Sequence, residues 1–240
     1  MNKPQKLLWV LASIAAINLT TPADAQTFQP PNTGAPPSSA GGGVRSGNAP
    51  NRTPSVIPLI PKDANNRLWG NTLSASPTFY LYAPANFTTP VRFSLIDEED
   101  GEVIYENVIR PSGRSGIIPI ALPNQQTLRE DRLYSVYFDE LVNPTSPQTN
   151  PSVGGYVRRV RPGQELSDQL QAAGGDRTRT AEVLARNGIW YDLVTLAAQM
   201  RESRPTNWEQ LLSSVGLANL VREPIVQTPG ATTRPNPRGS

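Results

Sequence analysis

Residues 91–109 read VRFSLIDEEDGEVIYENVI. Val91, Phe93 and Leu95 alternate with Arg92 and Ser94, the period-two pattern of a strand with one buried face. Val103 to Ile109 repeat it more loosely across an acidic turn that ends in Asp100-Gly101. Two registers compete. A two-residue turn at Asp100-Gly101 pairs Leu95 with Glu106 and Phe93 with Val108. A three-residue loop, Glu99 to Gly101, pairs Leu95 with Tyr105 and Val91 with Ile109. The second keeps apolar side chains opposite one another and places Gly101 where such loops need a left-handed residue. It is the register expected here.

Strand signals continue on both sides of this hairpin. Thr78 to Tyr82 is β-branched and aromatic and is closed by Ala83-Pro84. Ile117 to Leu122, Leu133 to Phe138 and Val153 to Val160 complete the set. Short strands with turn residues between them predict a small antiparallel β-sandwich of about six to seven strands.

After Val160 the period changes. Gln164 to Ala173 predicts a helix stopped by Gly174-Gly175, and Asp176 is placed to cap a second that ends at Asn187-Gly188. Ile189, Leu193, Leu196, Ala197 and Met200 form the apolar stripe of a third. Thr206-Asn207-Trp208-Glu209 reads as a capping box for a fourth, which Gly216 stops. Strands first and helices second give an α+β fold.

The ends have a different composition. Lys3 and Lys6, the apolar run Leu7 to Ile17 and the small pair Ala23/Ala25 form the pattern of a secretory signal peptide, residues 1–25. The run is too short to cross a ~30 Å hydrocarbon core, and the chain has no cysteine to carry a lipid. Cleavage after Ala25 predicts an exported protein, periplasmic or extracellular, without a stable membrane anchor. Residues 26–54 hold six prolines and five glycines and read as a disordered linker; residues 227–240 read as a disordered tail. The single globular domain is expected over 55–226, with strands over 55–160 and helices over 161–226.

Composition removes several chemistries. Cysteine and histidine are both zero. That excludes disulfides, cysteine- or histidine-ligated zinc, and any Ser-His-Asp triad. The formal net charge is +2 and falls to about +1 without Lys3, Lys6 and Asp24, so no nucleic acid is expected as a partner. No cofactor and no metal are expected. The acidic run Asp97 to Glu102 fails as a calcium loop, since the frame set by Gly101 puts Ile96 first and Asn107 last. Asp97, Glu106, Asp139 and Glu140 are the strand-region carboxylates that could pair for glycoside hydrolysis, but no sequence feature gathers two of them in an apolar cleft. Trp190, Tyr191 and Trp208 lie at helical spacing and read as core.

Arg158, Arg159 and Arg161 form the densest basic feature. On a strand, Arg159 and Arg161 share one face and Arg158 takes the other. A guanidinium fork can grip carboxylate or sulfate, which makes these three the candidate contact for an envelope protein or an anionic glycan. The alternative is a solvated strand end with ion pairs.

Several stretches resemble one family. They are Leu59-Ile60-Pro61, Leu68-Trp69-Gly70, Pro77-Thr78-Phe79 with Tyr82 and Pro84, and Phe93, Leu95 and Asp97. Gly116-Ile117 to Leu122-Pro123, Tyr134 to Phe138 and Gly155-Tyr156-Val157 with Arg159 continue the likeness. Gly188-Ile189-Trp190-Tyr191-Asp192 and Trp208 to Leu217 close it. The chain resembles a cyanobacterial exported family catalogued as domain of unknown function 928. The resemblance implies an exported protein and supplies no activity and no catalytic residues. The function expected is a non-enzymatic binding or structural module of the cell envelope. The alternatives are a carboxylate-based glycan-active enzyme, and a secretion or assembly accessory that uses a sheet edge.

Overall fold

The computed structural model describes Phe28 and residues 53–226. The expected leader, most of the linker and the tail lie outside the described residues. Among the described residues, eight strands form two sheets. The smaller has the order β1-β3-β6 and the larger β2-β8-β7-β4-β5. The strands are β1 (Ile57–Pro58), β2 (Trp69–Thr72), β3 (Thr78–Ala83), β4 (Val91–Asp97), β5 (Val103–Ile109), β6 (Gly116–Ala121), β7 (Leu133–Glu140) and β8 (Ser152–Arg159). Four helices follow: α1 (Gln164–Ala172), α2 (Arg177–Arg186), α3 (Trp190–Met200) and α4 (Pro205–Ser214). This is the α+β sandwich that the sequence pattern predicts.

The hairpin takes the second of the two registers. Leu95 pairs with Tyr105 and Val91 with Ile109, and Gly101 has φ +67°. Val91, Phe93 and Leu95 are fully buried. Phe93 meets Phe79 of the other sheet at 5.1 Å between ring centroids, with Phe138 and Tyr105 beside it. These rings join the two sheets, and their burial supplies much of the apolar area that holds a sandwich together.

Two short strands escape the sequence reading. β1 has two residues. β2, with the sequence WGNT, lacks alternation and carries Gly and Asn, which strands disfavour. β2 also runs parallel to β8, from Trp69↔Tyr156 to Thr72↔Arg159, an exception in an otherwise antiparallel sheet. Gly70 is required there by contact. A Cβ on it would lie 2.9 Å from Tyr191 Cε2 and 3.0 Å from Trp190 Cβ. Helix α3 therefore presses its first turn directly onto the β2 backbone.

Helix ends follow local chemistry. Asp176 accepts from the N–H groups of Thr178 (2.8 Å) and Arg179 (3.2 Å), capping α2; Gly188 follows at φ +68°. Gly216, at φ +79°, ends α4, and Leu217 N–H reaches back to Leu212 O at 2.8 Å. The capping box expected at Thr206 does not form. Pro205 takes the first helical position, which suits its fixed φ and missing N–H. Arg204 becomes the cap residue, without a side-chain bond, and Thr206 falls inside the helix. Leu196 also departs from the expected stripe. It is only half-buried, whereas Leu193 and Ala197 are 0% and 1% exposed.

The C-terminal segment closes the structure. Ile225 bridges Ile117 in parallel, with Ile117 N–H to Pro224 O at 2.7 Å and Val226 N–H to Ile117 O at 2.8 Å. Arg201 donates to the carbonyls of Val221 and Glu223 and stacks over Trp208 at 5.4 Å. Trp208 Nε1 donates to Val221 O. The helices thus fasten a segment that extends the smaller sheet.

Candidate functional site

The outer face of the larger sheet is set by the alternation that buries its inner face. Opposite Val91, Phe93 and Leu95, β4 turns Arg92, Ser94 and Ile96 outward. Cross-strand pairing then builds two rows. One runs Val108–Arg92–Asp139–Ser152, and the other Glu106–Ser94–Tyr137–Gly154. Gly154 leaves room for the Tyr137 ring, since a Cβ there would lie 2.6 Å from Tyr137 Cδ1. The loop after β7 folds over one end of these rows as a 3₁₀ turn, Pro147–Thr149. Between rows and loop lies a groove of about 490 Å³. Its lining includes Ser94, Ile96, Val103, Gln148, Asn150 and Ser152 as well as the charged groups below.

Arg92 sits in the middle. It donates Nε and Nη2 to Asp139 Oδ2 at 3.1 and 3.0 Å, and Glu106 Oε2 lies 3.9 Å from its Nε. Glu106 and Asp139 are two of the four carboxylates the sequence put forward. The structure brings them to one groove, but on a shared guanidinium and in polar surroundings. The other two are elsewhere. Asp97 is fully buried and accepts from Arg132 at 2.9 Å. Glu140 is 4% exposed and accepts from the backbone N–H groups of Ser55 and Val56. Arg132 also binds Glu99 and Asp100, so one guanidinium holds the acidic hairpin tip. Among the described residues no cluster of three or more carboxylates is placed to hold a metal ion.

The loop is ordered by its asparagines. Asn143 Oδ1 accepts from Thr145 N, Thr145 Oγ1 and Ser146 N. Asn143 N–H donates to Asn150 Oδ1 at 2.7 Å. That bond fixes which way the Asn150 amide faces. Asn150 is 4% exposed, and its Nδ2 has no hydrogen-bond partner. A buried amide donor left unpaired is costly and uncommon.

The arginine cluster sits at the far end of β8. Arg159 donates to Leu128 O at 2.7 Å and lies 3.4 Å from Glu130, while Arg161 Nε donates to Glu130 Oε2 at 2.8 Å. One carboxylate therefore serves both. Hydrogen bonding to Glu130, and then its charge, holds the Arg161 guanidinium above its usual range. Arg158 projects to the opposite, outer face beside Asn71 and Leu133.

A family model described as Domain of Unknown Function (DUF928) matches residues 40–225. The chain belongs to that family. No curated protein matches it. The groove, its loop and the arginine cluster all lie inside the matched DUF928 region.

Two of the sequence stretches that carry the DUF928 likeness meet in space. Leu68-Trp69-Gly70 supplies β2, and Gly188 to Asp192 supplies the start of α3, which packs on Gly70. Thr72 Oγ1 and Leu73 N donate to Asp192 Oδ2 at 2.6 and 3.0 Å. Trp190 and Tyr191 are buried, as expected of core residues, and burial pushes the Tyr191 hydroxyl far above its usual range. Burial also raises the Asp192 carboxyl, against the hydrogen bonds from Thr72 and Leu73. Asp192 lines a pocket of about 290 Å³ with Ser74, Thr78, Thr195, Leu196 and Gln199. No second carboxylate lines it, so the residue acts as a tie between strand and helix.

Sequence reasoning missed Arg92, Asn150 and Ser152. Arg92 stood in the quoted pattern as an outward residue, but its partner Asp139 is 47 residues away, and only the β4–β7 pairing joins them.

Proposed function

We propose that this DUF928 chain is an exported, non-catalytic binding module of the cell envelope, in a cyanobacterial setting, and that the outer groove of its larger sheet is the binding face. The observation that carries the reading is Asn150: a buried amide, oriented by its own loop, with a donor unused beside a concave polar surface. Ligand sites are concave and use a few placed polar groups. The leader pattern of residues 1–25 supports export.

A catalytic reading has less support. Acid catalysis by a carboxyl calls for apolar surroundings that keep its proton on. Glu106 and Asp139 instead flank Arg92, and Asp192, whose carboxyl is raised by burial, accepts from Thr72 and Leu73 and stands alone in its pocket. The sheet-edge reading keeps one observation in its favour. Among the described residues, β5 pairs only with β4, so its other edge can accept a strand.

Hydrogen–deuterium exchange of the exported chain, with and without a solubilised envelope fraction, tests the binding face. Protection is expected in residues 143–152 and on β4. Protection confined to β5 would favour the edge, and protection confined to residues 158–161 the arginine cluster.

A further inference from the structure

We propose that the groove takes a neutral saccharide, held through vicinal hydroxyls by Asn150, Asp139 and Ser152. The inference rests on the groove being the binding face and adds the ligand's chemistry.

Charge decides first. Arg92 contributes one positive charge and Asp139 and Glu106 two negative ones, so the lining is net negative. A uronic acid or sulfated chain would be repelled. It would also find no free fork, because Arg92 already gives Nε and Nη2 to Asp139. A bare cation is a poor fit for the same reason, since the guanidinium occupies the cation's place between the carboxylates.

Hydrogen-bond inventory decides next. Asn150 lines the groove and its buried Nδ2 is an unpaired amide donor, while the groove offers a carboxylate acceptor at Asp139 Oδ1, both functions at Gln148, and hydroxyls at Ser94 and Ser152. Donors and acceptors alternate over a short distance, since Asp139 and Ser152 are direct cross-strand neighbours. A sugar hydroxyl both donates and accepts, and vicinal hydroxyls present the pair at that spacing. A peptide strand would instead satisfy its backbone along β5 and leave these groups unused.

Shape agrees. Ile96, Val103 and Pro147 give the groove an apolar side, suited to the C–H face of a pyranose ring. Val103 is one of two large apolar side chains that stand exposed among the described residues, at 42%. The Asn143 bonds hold the loop in place beforehand, so little ordering is needed on binding.

The test titrates the full exported chain, by calorimetry and by amide chemical shifts, with three probe sets. These are neutral hexasaccharides (cello-, xylo-, manno- and malto-hexaose), hexagalacturonate, and an extended apolar heptapeptide. At least one neutral hexasaccharide should bind and shift amides of residues 92–96 and 143–153. Asn150→Asp keeps the acceptor for Asn143 N–H and removes the donor. It should weaken binding about tenfold, the loss of one buried hydrogen bond. Should that variant melt lower, Ser152→Ala serves in its place with the same expectation. If hexagalacturonate or the peptide shifts the groove while the neutral probes do not, the saccharide class falls and the binding face stands. If no probe shifts the groove, or both variants bind as the wild type does, the binding face falls with it.

Discussion

Trp190 Nε1 donates to the carbonyl of Leu59 at 2.8 Å, across 131 residues of chain. Trp190 is fully buried and begins α3; Leu59 follows β1. One indole therefore joins the first strand, the β2 backbone at Gly70 and the helical group. Trp190→Phe keeps an aromatic ring but leaves Leu59 O unpaired in the core. The expected loss is about 1–3 kcal/mol for the orphaned group, plus a cavity contribution. Urea denaturation measures it, and a variant as stable as the wild type would show that the bond is dispensable.

Two glycines should fail for different reasons. Gly101 has φ +67° with open space around it. Gly101→Ala should cost about 1 kcal/mol of left-handed backbone strain and nothing more. At Gly154 a Cβ would meet Tyr137 Cδ1 at 2.6 Å and Val136 O at 2.9 Å. Gly154→Ala should cost about 1–3 kcal/mol by overpacking and should shift the Tyr137 resonances in the groove. Equal, purely thermal effects from both would argue against Tyr137 lying on Gly154.

The N-terminal stretch contributes a residue that composition hides. Phe28 is 3% exposed and meets Trp190 edge-on, at 4.9 Å and 72°. A chain starting at Ser55 should therefore melt lower than one starting at Gln26. Phe28→Ala in the longer chain should reproduce most of the difference, since deleting a buried Phe side chain costs about 3–5 kcal/mol. Matching melting temperatures for the two lengths would return Phe28 to the dispensable linker the sequence suggests.

The hairpin register was legible because period two and an αL glycine are local signals. Asp176, Gly188 and Gly216 were legible for the same reason. β2 was not, because a four-residue strand packed under a helix needs a small residue at Gly70 more than it needs alternation. Phe28 was not, because a single aromatic among prolines carries no period. At the groove, Glu106 and Asp139 were visible as carboxylates. Their company, Arg92 and Asn150, depends on pairings made across tens of residues, and on a loop whose asparagines bond to one another.

Asp192 gives a prediction in pH. Burial raises its carboxyl above the ordinary 3.8, outweighing the hydrogen bonds from Thr72 and Leu73. A carboxyl with a raised folded pKa holds its proton more tightly folded than unfolded. Its stabilising contribution is then complete below the unfolded value and declines as pH rises through the folded one. Asp63 and Asp176 are held low, Asp176 by the N–H groups of Arg179 and Thr178 and Asp63 by Arg67 bonds that overcome burial. They act with the opposite sign, but they do so equally in any Asp192 variant and cancel in a comparison. Asp192→Asn cannot titrate and keeps an acceptor for Thr72 or Leu73. The wild type's melting temperature minus that of Asp192→Asn should therefore fall as pH goes from about 4 to 7. Calorimetry at four pH values reads it directly. A difference that stays flat, or grows with pH, would mean that Asp192 is charged at little cost and that its bonds to Thr72 and Leu73 outweigh its burial.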